Sequence, residues 1–128
     1  MKETDLVKSI ERQLQYHAND VMAWRQNTGG AKFKKKGGGE YFVRFGFQGI
    51  SDIIGLIAPH GRFVGIECKV GKNKMTEQQL LFGYGILKRG GIFIEARQPE
   101  DWKEIFNFDS DKWFKIVTEQ MQKQGIVI

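Results

Sequence analysis

The 128-residue sequence predicts one α/β domain in which a mixed β-sheet is flanked by α-helices. Near the N-terminus, apolar residues recur every three or four positions, which is typical of an amphipathic helix. Short apolar runs bounded by glycine and proline follow, which indicates strands. The patterns occur in the order helix, strands, helix, strand, helices, and no linker or internal repeat divides them. We therefore expect a single domain over residues 1–128.

The first helix is predicted over residues 4–19, with Thr4 as its N-cap. Its apolar face is formed by Leu6, Ile10, Leu14 and His17. Strands are predicted over residues 21–25, 41–45, 52–58, 63–70 and 92–96. The nearly continuous apolar run at 52–58 is typical of a strand that is covered on both faces.

The second half of the chain carries three helical signals. Thr76 is a good N-cap for a helix that runs to Lys88, where Gly90-Gly91 ends it. Pro99 begins a short helix. Ser110 is expected to cap a last helix that runs to about Gln124.

Composition excludes several classes of protein. Hydrophobic residues make up 41% of the chain and charged residues 27%, as in an ordinary folded protein. The single cysteine, Cys68, excludes an internal disulfide and a cysteine-based zinc cage, which suits a reducing compartment. The longest apolar run, residues 53–58, is too short to cross a membrane, and the N-terminus does not resemble a signal peptide. We expect a cytoplasmic protein.

The net charge of +5 is concentrated in one segment. Between residues 25 and 50, Glu40 is the only acid, and the basic residues are Arg25, Lys32, Lys34, Lys35, Lys36 and Arg44. We predict a basic, glycine-rich loop at about residues 29–40 that contacts DNA through Lys32, Lys34, Lys35, Lys36 and Arg44, because cationic side chains that neutralise phosphates release counterions. The alternative is a solvated loop that only keeps the protein soluble.

One strand carries charges where apolar residues are expected. Glu67 and Lys69 are two positions apart, so both point to one face of the strand, and Cys68 points to the other. Burying these charges is costly unless each has a partner or a metal ion. A two-residue turn at Pro59-His60 would pair Asp52 with Glu67, whereas a four-residue turn would pair it with Lys69.

Both registers place Asp52 on the face of Glu67 and Lys69, and only a three-residue turn would send it to the other face. Two carboxylates beside a lysine suit Mg²⁺ or Mn²⁺, which prefer oxygen ligands. Such an ion could polarise a phosphodiester, and Lys69 could orient or deprotonate a water molecule or offset developing charge. The alternative is an ion-paired cluster at the end of a strand.

Asp52 followed by Glu67-x-Lys69 on a hairpin resembles the PD-(D/E)xK nuclease superfamily, which implies a restriction-endonuclease-like fold. The run of residues 49–55, residues 61–69, the helical stretch Thr76 to Gln79 and the Gly90-Gly91 pair resembles, more narrowly, the VRR-NUC (virus-type replication-repair nuclease) family. The resemblance extends over residues 5–97. Ser51 stands where the family often has proline.

The resemblance implies further site residues. A glutamate on the first helix belongs to the family's site, and Glu11 is the match, as a catalytic residue and a candidate metal ligand. The family's glutamine matches Gln79, with Gln78 as the alternative if the helix phase differs by one residue. The backbone carbonyl of Cys68 would join Asp52 and Glu67 as a metal ligand.

The resemblance also implies a function, a Mg²⁺- or Mn²⁺-dependent DNA endonuclease. Short standalone members from phages and bacteria suggest a homodimer that cleaves four-way (Holliday) junctions, because symmetric nicks need two sites related by a twofold axis. A flap or fork nuclease is the near alternative, and a non-catalytic DNA-binding module is an alternative of a different class. The aromatic stretches Tyr41–Phe47 and Trp102–Phe114 are candidate contact surfaces.

Overall fold

A computed structural model of the chain describes residues 1–26, 30–44 and 48–127. Its elements are α1 (Glu3–Gln15), β1 (Val21–Arg25), β2 (Gly30–Lys34), β3 (Glu40–Arg44), β4 (Ile53–Ile57), β5 (Arg62–Cys68), α2 (Glu77–Lys88), β6 (Ile92–Ala96), a 3₁₀ segment (Pro99–Asn107) and α3 (Ser110–Lys123). The prediction of a mixed sheet flanked by helices is confirmed, and the arrangement is compatible with a restriction-endonuclease-like fold. None of the helices in the described ranges is both long and apolar enough to cross a membrane.

The main sheet has the strand order β1-β4-β5-β6, in which β5 and β6 are parallel and the other pairs antiparallel. Helix α2 packs closely on one face, where a Cβ atom on Gly83 would come within 2.4 Å of the Phe93 ring. Helix α1 packs against β1 and β5 and contributes Leu6 and Ile10 to the core. Because both faces are covered near β5, the chain is buried from Val64 in this strand to Lys69 just after it.

Three helix ends differ from the prediction. Helix α1 begins at Glu3 rather than Thr4, because the Asp5 carboxylate accepts a hydrogen bond from the backbone N–H of Lys2 (3.3 Å) and caps the chain earlier. It also ends at Gln15, so His17 lies in a turn and packs on the Trp102 ring. Helix α3 is capped by Asp109 rather than Ser110.

The predicted loop at residues 29–40 is wrong for residues 30–34, which form β2 and pair with β3 in a separate two-stranded sheet. The turn is limited to residues 35–39, where the Lys35 N–H donates to the Gly39 carbonyl (3.0 Å). The strand is favoured because Phe33 alternates with lysines and stacks on Tyr41 across the hairpin. The exposed lysines of this hairpin are Lys32, Lys34, Lys35 and Lys36.

Two predicted contact surfaces have different outcomes. In the stretch Trp102–Phe114, the two tryptophans are buried in the core and cannot form a contact surface, whereas Phe106 is exposed. Tyr41 is exposed, whereas the side chains of residues 42–47, Arg44 included, lie outside what the structure describes.

Candidate active site

The hairpin of β4 and β5 places the two predicted acids opposite each other. Ile53 pairs with Ile66, and continuing this register by one residue aligns Asp52 with Glu67. This is the first of the two even registers that the sequence left open. Asp52 accepts a hydrogen bond from the backbone N–H of Cys68 through Oδ2 (2.8 Å). The Asp52 carboxylate is thereby fixed at the end of β5, beside Glu67.

Glu67 is a fully buried acid. Its Oε1 atom accepts a hydrogen bond from Gln79 Nε2 (3.0 Å) and lies 4.0 Å from Lys69 Nζ. Its Oε2 atom is buried and has no hydrogen-bond partner among the described residues. Burial and the nearby charge of Asp52 raise the pKa of Glu67 to about 10, although the charge of Lys69 opposes this shift. The space beside the two acids therefore favours a proton or a cation.

Gln79 is held by the first turn of α2. The backbone N–H of Thr76 donates to Gln79 Oε1 (2.9 Å), and the Thr76 hydroxyl accepts from the Gln79 N–H (3.2 Å). Because the amide oxygen accepts from the N-cap residue, the amide NH₂ is directed toward Glu67. Gln78, the other candidate, instead donates to Gln48 at the surface. The structure thus brings Gln79, and not Gln78, to the acids.

Glu3 contacts the cluster, and our sequence reasoning missed it. Its Oε1 atom lies 3.9 Å from Lys69 Nζ, and its Oε2 atom accepts a hydrogen bond from Asn73 Nδ2 (3.5 Å). The Lys69 side chain is 8% exposed and lies between two carboxylates. No sequence signal distinguishes Glu3 from the other acids of α1, because its role depends on how α1 packs against the end of β5.

Glu11 lies nearby but forms a different contact. Its carboxylate accepts a hydrogen bond from the backbone N–H of Arg25 (3.1 Å) at the end of β1. The next residue, Gln26, donates to the Asp52 carbonyl (2.7 Å). Glu11 therefore borders the Asp52 end of the sheet, and within the described ranges it forms no ion pair or hydrogen bond with Glu67 or Lys69.

The donor set is one of oxygens. Glu67 and Cys68 are consecutive residues at the end of β5, and Asp52 is aligned with Glu67 across the hairpin. In the part of the chain that the structure describes, no group of three or more His, Cys, Asp or Glu side chains could hold a metal ion. The Oε2 atom of Glu67, which is buried and has no partner among the described residues, is still an oxygen ligand of the kind that a hard cation prefers. The Cys68 thiol is unsuited to that role, because burial raises its pKa.

No protein-family model matches the chain, and no curated protein matches its sequence. The functional interpretation therefore depends on the residues of this site.

Proposed function

We propose that this protein is a metal-dependent endonuclease that hydrolyses phosphodiester bonds in DNA. The observation that carries the proposal is the buried Glu67 carboxyl, which lies beside Asp52 and retains an unpartnered oxygen. A cluster with a purely structural role would be expected to satisfy this atom, because an unpaired buried carboxylate oxygen costs free energy. The resemblance of these residues to the VRR-NUC family supports the same function.

Each residue of the cluster has a task in this proposal. Asp52, Glu67 and the Cys68 carbonyl would hold Mg²⁺ or Mn²⁺, which supplies Lewis-acid chemistry to a phosphodiester when bound. Lys69 carries the positive charge that offsets charge developing on the phosphate. Gln79 keeps the Glu67 carboxylate in one orientation through its amide.

The basic residues supply binding to DNA in this proposal. The lysines of the β2–β3 hairpin, together with Arg44, would contact backbone phosphates. The hairpin follows β1, whose C-terminal neighbour Gln26 is hydrogen-bonded to Asp52, so the chain reaches the hairpin from the acidic end of the sheet.

We further propose that the protein acts as a cytoplasmic homodimer on four-way junctions, in a bacterial cell or a phage-infected host. A candidate dimer surface is the face of β1 and β4 that carries exposed apolar side chains, Met22, Trp24 and Leu56. This face continues into an apolar cavity of about 730 Å³, where Leu81 is also exposed. Burying such a face would supply the twofold axis that paired nicks require.

The test is cleavage of end-labelled four-way junction, flap and plain duplex DNA with Mg²⁺ or Mn²⁺. Wild type is compared with Asp52→Asn and with Glu77→Gln, which neutralises an exposed acid on α2. We expect wild type and Glu77→Gln to make paired nicks in the junction, and Asp52→Asn to make none. Cleavage of flaps alone would support a flap or fork nuclease. Binding without any cleavage would overturn the enzyme and favour a non-catalytic DNA-binding module.

A further inference from the structure

A second polar region of the molecule lies beside the acids and has no role in the chemistry above. It is a cavity of about 290 Å³ between the β5–α2 connection, the end of β6 and the end of α3. Its lining residues are Lys74, Arg97, Gln120, Lys123 and Gln124. Three of these five side chains are cations and the other two are amides. Such a lining suits a small anion better than an apolar group.

Arg97 is the ordered part of this cavity. Its guanidinium donates to the carbonyls of Gly71 (3.0 Å) and Asn73 (2.7 Å) and pairs with Glu95 (3.1 Å). These contacts use three of its five N–H donors and set its plane. Two donors are left over for a ligand.

Lys74 and Lys123 contribute charge that is not neutralised. Neither forms an ion pair with any residue that the structure describes. Gln124 joins the two sides of the cavity, because its side chain donates to the Met75 carbonyl (2.9 Å). With Glu95 as the acid paired to Arg97, the cavity retains a net positive charge that favours an anion.

The cavity and the acids share their supporting elements. Glu95 on β6 is aligned with Glu67 on the parallel strand β5, about 5 Å away across the sheet. The connection that carries Lys74 begins after Lys69 and leads into the helix that carries Gln79. The anion would therefore be held next to Glu67, on the side away from β1 and β4.

We propose that this cavity binds a backbone phosphate of the DNA strand that is cleaved, close to the scissile phosphodiester. This inference rests on the proposed nuclease function and adds to it a contact that sets the path of the strand. The strand would cross the end of β5 between two cationic regions, the β2–β3 hairpin and this cavity. A phosphate fits the site because the two lysines and the two remaining N–H groups of Arg97 can donate charge-assisted hydrogen bonds.

The experiment measures binding of a labelled four-way junction and a labelled duplex in EDTA, at several salt concentrations. The test variant is Lys74→Ala/Lys123→Ala. The matched control is Lys88→Ala/Lys115→Ala, which removes exposed lysines from α2 and α3 at positions outside the cavity. We expect the test variant to bind about tenfold more weakly at 0.1 M salt, with a salt slope lower by about one. The control should change affinity less than about twofold.

A second arm locates the contact. In this arm, neutral methylphosphonate linkages replace single phosphates around the cleavage position. We expect one such replacement to lower the affinity of wild type about tenfold. The same replacement should not lower the affinity of the test variant, which already lacks the contact. A test variant that binds like the control overturns the cavity inference, and wild-type cleavage then leaves the nuclease function intact. Conversely, if wild type cleaves no DNA but the test variant still binds DNA more weakly than the control, the nuclease function is overturned and the cavity remains a phosphate-binding site.

Discussion

At the scale of single residues, Glu67 is an acid whose burial makes folding depend on pH. Its pKa is raised in the folded protein to about 10, whereas the ordinary value of 4.5 applies to the unfolded chain. The unfolded chain therefore loses this proton at a lower pH than the folded protein does. The contribution of Glu67 to stability is complete below pH 4.5 and is lost progressively as the pH rises toward 10.

The first prediction follows from this loss of stability with rising pH. Glu67→Gln keeps an acceptor for Gln79 but removes the charge, so it should stabilise the fold by roughly 3 kcal/mol at pH 7 and by little near pH 4. Urea unfolding of both proteins between about pH 4 and pH 9 measures the difference. A difference that does not change with pH would contradict the burial of a strained carboxyl at this position.

A divalent cation should offset the free-energy cost of burying the ionised Glu67 carboxylate. We expect Mg²⁺ to raise the melting temperature of wild type, and to do so more at pH 8 than at pH 5, because protons compete with the cation for Glu67. Asp52→Asn should abolish most of this increase, since it removes one of the two carboxylates. Thermal unfolding with and without Mg²⁺ provides the measurement, and an equal increase in both proteins would place the cation elsewhere.

At the scale of elements, the N-cap of α2 links helix stability to the site. Thr76→Ala should cost about 1 kcal/mol and also slow cleavage, because it removes the hydroxyl that accepts from the Gln79 N–H and so loosens the first turn of α2, in which the Thr76 N–H holds the Gln79 amide toward Glu67. Asp109→Ala removes the matching cap of α3, whose carboxylate accepts from the Lys112 N–H (3.1 Å). It should cost a similar stability and leave cleavage unchanged. Equal cleavage by the two variants at a temperature where both are folded would refute the positioning role of Gln79.

The elements also show what local sequence could predict. Alternation in strand 63–70 predicted that Glu67 and Lys69 share a face, because facing depends only on even or odd position. The same pattern left two registers for Asp52, since the choice between them depends on the geometry of the turn at residues 58–61. The lysines and glycines around residues 30–34 predict a loop there. The strand forms because Phe33 stacks on Tyr41 across the hairpin, a contact that the local sequence does not reveal.

The contact of Glu3 with the site could not be predicted from the sequence. This residue lies in the first turn of α1, where an acid is ordinary because it interacts with the helix dipole. Its contact with Lys69 joins residues far apart in the chain and depends on how α1 packs against the end of β5. Periodicity along one helix carries no information about such a contact.

At the scale of the whole molecule, two cationic regions accompany the acidic cluster, and the net charge of +5 comes from the segment that holds the β2–β3 hairpin. The exposed lysines of the β2–β3 hairpin follow β1 in the chain, and the Arg97 cavity lies at the end of β6, which pairs with β5. In the proposed function, the cationic regions would attract DNA and the two carboxyls would hold the metal ion.

The hairpin gives the prediction at this scale. Lys34→Ala/Lys35→Ala/Lys36→Ala should weaken DNA binding and lower the salt slope by roughly 0.9 for each phosphate that the variant no longer neutralises. Lys8→Ala/Lys103→Ala/Lys115→Ala, which removes three exposed lysines from helical segments, is the matched control. Binding titrations in EDTA over a range of salt make the comparison. An unchanged slope in the hairpin variant would assign these lysines to solvation alone.

We infer that this fold retains a destabilising acid, Glu67, because the acid is needed for cleavage. The most direct test measures the rate of cleavage of a labelled four-way junction with Mg²⁺ by wild type and by Glu67→Gln, each already shown to be folded and to bind the junction. We predict that the variant is more stable than wild type and binds DNA at least as tightly, yet cleaves it at least about a hundredfold more slowly. A Glu67→Gln variant that cleaves at the wild-type rate would contradict a catalytic role for this carboxyl.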